Sequence, residues 1–183
     1  MGDPKRTRKS YETPRHPWRR DQLEVELHLM GDFGLRNKRE LWRYKTMLSQ
    51  VRGQARSLLV STGEERTRLE REYLSKLSRI GVLSESATID DVLDLDIRDL
   101  LERRLQTFVF RKGLAKSLFQ ARQLVSHGHI SVAGKIISVP GYIVKRDEEE
   151  KVKYSGQSPL GKAEHPTRKV ITATAAGHAV AEA

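Results

Sequence analysis

The stretch from Leu101 to Tyr154 limits the possible folds more than any other part of the chain, because its apolar residues change period within it. Leu101, Leu105, Phe108 and Val109 recur at helical spacing and make one apolar stripe. Arg104 and Arg111 are seven residues apart and lie along one edge of that stripe. Gly113, inside "KGLAKS", breaks the helix. Ser117 is the expected N-cap of a second helix whose apolar face holds Leu118, Ala121, Leu124 and Val125. Arg122 and Ser126, four apart, flank this face, whereas Gln120, Gln123 and His127 point away from it. Gly128 ends the helix. After His129, "ISV-AG-KII" reads as a hairpin turning at Ala133-Gly134.

Upstream the pattern is helical. Asp21 to Leu35 forms a helix through Leu23, Leu27 and Met30, with Gly31 and Gly34 loosening its end. Lys38 to Leu59 holds Leu41, Tyr44, Leu48, Val51, Ala55 and Leu58 on one face. Gly53 inside it costs ~1 kcal/mol relative to alanine. Lys45, Arg52 and Arg56 make a basic flank, readable equally as a solvated face or as a contact surface. Ser61 with Glu64 fits a capping box for a third helix reaching about Ile80, with Leu69, Tyr73, Leu77 and Ile80 as its stripe and Gly81 as its stop. Thr88 with Asp91, and Asp96 with Asp99, cap two more short helices, the second of which enters the opening stretch. The whole is expected to be α+β, a helical N-terminal part beside a unit of two helices and a small antiparallel sheet.

Charge narrows the partners. Lys and Arg number 34 against 24 Asp and Glu, a net charge of +10, and clustered cations displace counterions from phosphates. The absence of cysteine excludes disulfides, thiol catalysis and cysteine-ligated zinc. No apolar run of about 18 residues is present, and the N-terminus lacks a signal peptide's apolar core; a soluble intracellular chain is expected. In Met1 to Arg20, the cations Lys5, Arg6, Arg8, Lys9, Arg15, Arg19 and Arg20 face only Asp3 and Glu12, while Pro4, Pro14 and Pro17 prevent a regular helix. Tyr11, His16 and Trp18 are interleaved with them. Such an arm either stays a solvated tail or meets RNA, its cations on phosphates and its rings on bases. We expect the second.

Catalytic signals are missing. His127 and His129 are poorly placed for a metal, with no third ligand nearby, and are expected to meet phosphate or hold a loop. Asp147 to Glu150 reads as a solvated hairpin turn rather than a divalent-cation site. There is no glycine-rich phosphate loop and no Gly-x-Ser-x-Gly. Neither enzyme activity, metal nor cofactor is expected. After Tyr154, Gly156, Pro159, Gly161 and Pro166 make a loop, and "ITATAAGHAVAEA" reads as disordered or draped on a neighbour.

Arg104-Leu105, Arg111, Gly113, "QARQLVSHGHISVAGK", Pro140 and the turn at Asp147 together resemble the small RNA-binding domain named after ribosomal protein S-four. Two positions depart from that family: Gln106, where Asp is frequent, and Ala133, where the turn is usually Asn-Gly. The opening "GDPKRTRKSYETPRHPW" and the link "TIDDVLDLDIRDLLERRL" are similar to the archaeal and eukaryotic branch of the S-four ribosomal proteins. The resemblance implies four segments: a basic extended arm, 1–20; a helical rRNA-binding part, 21–95; the RNA-binding domain, 96–155; and a flexible tail, 156–183. It implies a structural protein of the small ribosomal subunit, cytoplasmic, that binds 16S rRNA directly. It also implies nucleation of the subunit body near the path by which mRNA enters, with neighbouring ribosomal proteins and possible mRNA as further partners. Lys45, Arg52, Arg56, Arg104, Arg111, Lys112, Lys116, Ser117, Arg122, Gln123, Ser126, His127, His129 and Lys135 would join the arm's cations as the RNA-contacting set. Arg104, Arg111 and Arg122 could instead be ion pairs at a core edge. Glu102 and Asp99 are their nearest carboxylates in sequence and none follows until Asp147, so we expect the three to face phosphate.

Overall fold

The computed structural model describes residues 9–61, 63–162, 165–166 and 168–171. Its spine is the helix α2 (Lys38–Val60), unbroken at Gly53, against which pack α1 (Arg20–Asp32), α3 (Glu64–Ile80), α4 (Ile89–Asp94) and α5 (Ile97–Glu102). Asn37 starts α2 by accepting the Glu40 amide on its side chain at 3.1 Å, which satisfies one of the orphan donors of the first turn. The expected face of α2 is the buried one: Leu41, Tyr44, Leu48, Val51 and Ala55 all point inward. The caps of α4 and α5 form as expected, the carboxylates of Asp91 and Asp99 each accepting the N-cap amide at 2.7 Å.

Three expectations for this half need correction. In α1, Leu27 is exposed and Glu26 takes the inward position beside Leu29, because Lys45, Trp42, Gln22 and Lys38 converge on its carboxylate. Ser61 does not cap α3. It closes α2, donating to the Leu58 carbonyl at 2.8 Å, and Gly63 is the residue before α3. Only the second half of the α3 stripe is covered; Leu77 is buried, whereas Leu69 is exposed.

The second half is a layer of two helices, α6 (Leu105–Arg111) and α7 (Leu118–Ser126), with strands β1 (Ile130–Val132), β2 (Lys135–Ile136) and β3 (Val152–Tyr154) in the order β2-β1-β3. Both pairings are antiparallel, with Val132 opposite Lys135 on one side and Val152 on the other. Ala133 and Gly134 adopt φ of 49° and 82°. The two-residue turn thus has both central residues left-handed, as a type I′ hairpin demands, even without asparagine. The acidic run expected as a hairpin turn is instead a short helix, α8 (Arg146–Glu149). A 3-10 turn at Pro159–Gly161 and a helical stretch at residues 168–171, with Ile171 buried, give order to the start of the expected tail. Most of "ITATAAGHAVAEA" lies outside the described residues.

The chain therefore carries two apolar cores, one drawn from Leu29 to Leu101 and one from Leu105 to Leu160. They follow one another in sequence and meet at Arg103 and Arg104. The helix α5, read as leading into the second unit, buries Ile97, Leu100 and Leu101 in the first. Gly34, at φ 56°, shows how tightly the lobes touch: a Cβ there would stand 2.8 Å from the Leu118 Cβ and 3.0 Å from the Gln106 amide nitrogen.

Candidate nucleic-acid interface

The seam between the lobes is polar, and one carboxylate from α2 organises it. Glu40 accepts hydrogen bonds from Arg122 at 2.6 and 3.1 Å and from Arg104 at 2.9 Å. Burial pushes the Glu40 carboxyl up, but hydrogen bonds and charge from Arg122 and Arg104 outweigh it, and its pKa lies below the ordinary glutamate value. Gln106, fully buried, completes the joint. Its NH2 donates to the carbonyls of Gly34 at 2.9 Å and Leu118 at 3.1 Å, and its oxygen faces both arginines at 3.4 Å. An ionised aspartate at this position could accept but not donate, so it could not tie those two carbonyls together.

This geometry corrects the expectation for Arg104. Its side chain is 1% exposed, with its guanidinium 5.3 Å above the Tyr44 ring, and it faces the seam rather than solvent. Arg122, 22% exposed, is half-sequestered by the same carboxylate. Arg111 remains exposed and pairs with Glu102 at 2.6 Å. Counting carboxylates nearby in sequence misled for Arg104 and Arg122, because their partner is 64 and 82 residues away and reaches them only through the fold.

Other expected contact residues also have protein partners. Lys45 pairs with Glu26 at 2.7 Å, Arg52 donates to the Leu95 carbonyl, and Arg56 donates to the Arg52 carbonyl. Lys112 donates to the carbonyls of Glu149 and Glu150. His129 shares a hydrogen bond of 2.9 Å with Ser158, and Ser117 caps α7 by accepting the Gln120 amide. Arg20 is the first residue of α1 and pairs with Glu24. Lys5, Arg6 and Arg8 lie outside the described residues. The rest of the arm is partly docked: the Tyr11 ring lies 5.9 Å from that of Trp42, Lys9 sits 5.0 Å from the Tyr11 ring, and the Glu12 amide donates to Thr46.

Among the described residues, exposed cations without an ion-pair partner are spread over the surface, Arg56, Arg71, Lys76, Lys145, Lys151 and Lys153 among them, but two groups adjoin the seam. One is the outer side of α7 and the hairpin, where Lys116, Gln123, Ser126, His127 and Lys135 are exposed. Phe119, 69% exposed, stands in the same stripe. The other is the start of α2, where Arg36, Arg39 and Arg43 are exposed, with Arg15 and Arg19 preceding α1. The sequence reading did not include Arg36, Arg39, Arg43 or Phe119. A signal for two of them was present: Arg39 and Arg43 are four apart and lie off the Leu41–Tyr44–Leu48 stripe, hence on the solvent side of one helix. No group of His, Asp and Glu among the described residues could hold a metal ion, and no helix there is long and apolar enough to cross a membrane.

A two-helix unit on a small sheet, with a cationic outer face bearing an exposed ring, defines an RNA-binding module of the S4 type, and residues 103–150 match the family model described as the S4 domain. Across the larger part of the chain there are curated relatives. The chain is 52% identical over 162 residues to the small ribosomal subunit protein uS4 of Ignicoccus hospitalis, covering 88% of this chain and 98% of the relative. It is 52% identical to the uS4 protein of Hyperthermus butylicus, over 88% of this chain and 92% of the relative. The identity to the uS4 protein of Nanoarchaeum equitans is 47%, over 90% and 93%. The chain belongs to the uS4 family of small ribosomal subunit proteins.

Proposed function

We propose that this chain is a structural component of the cytoplasmic small ribosomal subunit that binds 16S rRNA directly and acts early in assembly of the subunit body. The observation that carries this reading is the pair of cationic faces, on α7 and at the start of α2, joined by the Glu40–Arg104–Arg122 contact. Cations held on one frame can meet several phosphates at fixed separations. A-form RNA is read in this way, through shape and backbone, because its major groove is too narrow for side chains. Arg suits the α2 face because its planar fork binds a phosphate through two hydrogen bonds. In this reading the arm extends the surface, ribosomal proteins and mRNA near its path of entrance are further neighbours, and the protein catalyses no reaction.

The test is competition. The full chain is titrated with transcripts of small-subunit and large-subunit rRNA at rising salt. Preferential retention of the small-subunit transcript, with affinity falling linearly on a log–log salt plot, is the expected result. Equal binding to both transcripts would overturn it.

A further inference from the structure

Between α2 and the segment that follows β2 lies a cleft of about 390 Å³, within the range of small-ligand sites, roughly 300–1,000 Å³. Its floor is the seam itself, with Glu40, Arg104 and Arg122. Arg43 stands at its rim, exposed and without an ion-pair partner, and Met47, Val139 and Pro140 form an apolar wall. Arg104 and Arg122 share the one carboxylate and Arg43 has none, so the cleft carries uncompensated positive charge. Arg104, 1% exposed, keeps two nitrogens, Nε and Nη1, with no hydrogen-bond partner, although a buried donor left unmatched is costly. Val139 is 59% exposed with nothing covering it. The cleft thus sets a cationic floor and rim against an exposed apolar wall.

We propose that this cleft receives a single unstacked nucleotide of the bound RNA, its phosphate against Arg43 and Arg122 and its base against Met47, Val139 and Pro140. The inference rests on the rRNA-binding reading and adds a pocket to it. RNA is favoured over an acidic peptide because Arg39, one turn before Arg43 and also without an ion-pair partner, continues the positive rim along α2. A phosphate chain can follow that rim into and out of the cleft. Splayed-out bases held on apolar or planar side chains are a common mode of RNA recognition.

The experiment compares the full chain with Val139→Trp, which fills the cleft without changing charge, Arg43→Gln, and Val60→Trp, which alters an exposed position at the far end of α2. Two readouts are taken: affinity for the small-subunit rRNA transcript across salt, and methyl NMR shifts of Met47 and Val139 on addition of AMP, inorganic phosphate or a glutamate-rich peptide. Val139→Trp should lower rRNA affinity about tenfold with an unchanged salt slope. Arg43→Gln should reduce the slope by up to about 0.9, and Val60→Trp should change neither. AMP should shift both methyls, and phosphate alone neither. If the wild-type chain binds rRNA while Val139→Trp binds equally well, or if the peptide shifts the methyls and AMP does not, the pocket assignment is wrong and the rRNA reading stands. If the wild-type chain shows no preference for the small-subunit transcript, both fall.

Discussion

Removing the guanidinium of Arg104 would leave Glu40 with one partner and open a space over the Tyr44 ring. Breaking a buried pair from one side generally costs about 3–5 kcal/mol, so Arg104→Gln should lower the unfolding free energy by roughly that amount in urea melts. Lys116→Gln, at an exposed position without an ion pair, should leave it within about 0.5 kcal/mol. Ala133 offers the opposite case. A left-handed conformation costs a residue with a Cβ roughly 1–2 kcal/mol, and asparagine tolerates it better. Ala133→Asn should therefore stabilise the protein by up to about 1 kcal/mol, visible as a raised melting temperature; an unchanged or lower value would show that the φ of 49° carries no strain.

At the scale of elements, pH is a probe of the seam. The Glu26 and Glu40 carboxyls both lie below the ordinary value; in each, burial acting upward is outweighed by hydrogen bonds and charge, from Lys45 on Glu26 and from Arg122 and Arg104 on Glu40. A depressed folded pKa gives stability that is complete above the unfolded value, about 4.3 for glutamate. That stability disappears as pH falls through the folded pKa. Unfolding free energy should thus drop from about pH 4.3 downward. Glu40→Gln should be less stable at neutral pH and show a shallower acid limb; a parallel limb would remove Glu40 from that role. The elements themselves were legible. The stripes of α2 and α7, the caps at Asp91, Asp99 and Ser117, and the hairpin at Ala133-Gly134 are encoded locally, by spacing and turn chemistry. The seam was not legible, because Glu40, Gln106 and Arg122 interact across tens of residues and nothing in their local pattern marks the contact. The same limit explains Glu26, whose inward position in α1 depends on Lys38, Trp42 and Lys45 of the next helix.

For the whole molecule, the balance between paired and unpaired cations sets the salt response. Arg39, Arg43, Lys116 and Lys135 are exposed with no carboxylate to release. Their individual replacement by glutamine should reduce the slope of log affinity against log salt by up to about 0.9 each. Arg111→Gln should change it less, since Glu102 already compensates that charge. A larger loss at Arg111 than at Lys116 would place the RNA on the other side of α6.

The order of the two cores along the chain bears on how the protein is made. The buried residues of the first core all precede those of the second, with Ile143 alone packing on the first from beyond α7, so most of the N-terminal lobe can fold on the translating ribosome while α7 is still inside it. Glu40 and Arg122 are 82 residues apart. At about 5–20 residues per second of synthesis, the lobes wait roughly 4–16 s before they can join. During that interval the Glu40 carboxylate stands open beside Arg39 and Arg43, reducing the charge of the α2 face. When Arg104 and Arg122 arrive they cover the carboxylate, and the nascent protein gains its full attraction for RNA only when its second lobe docks.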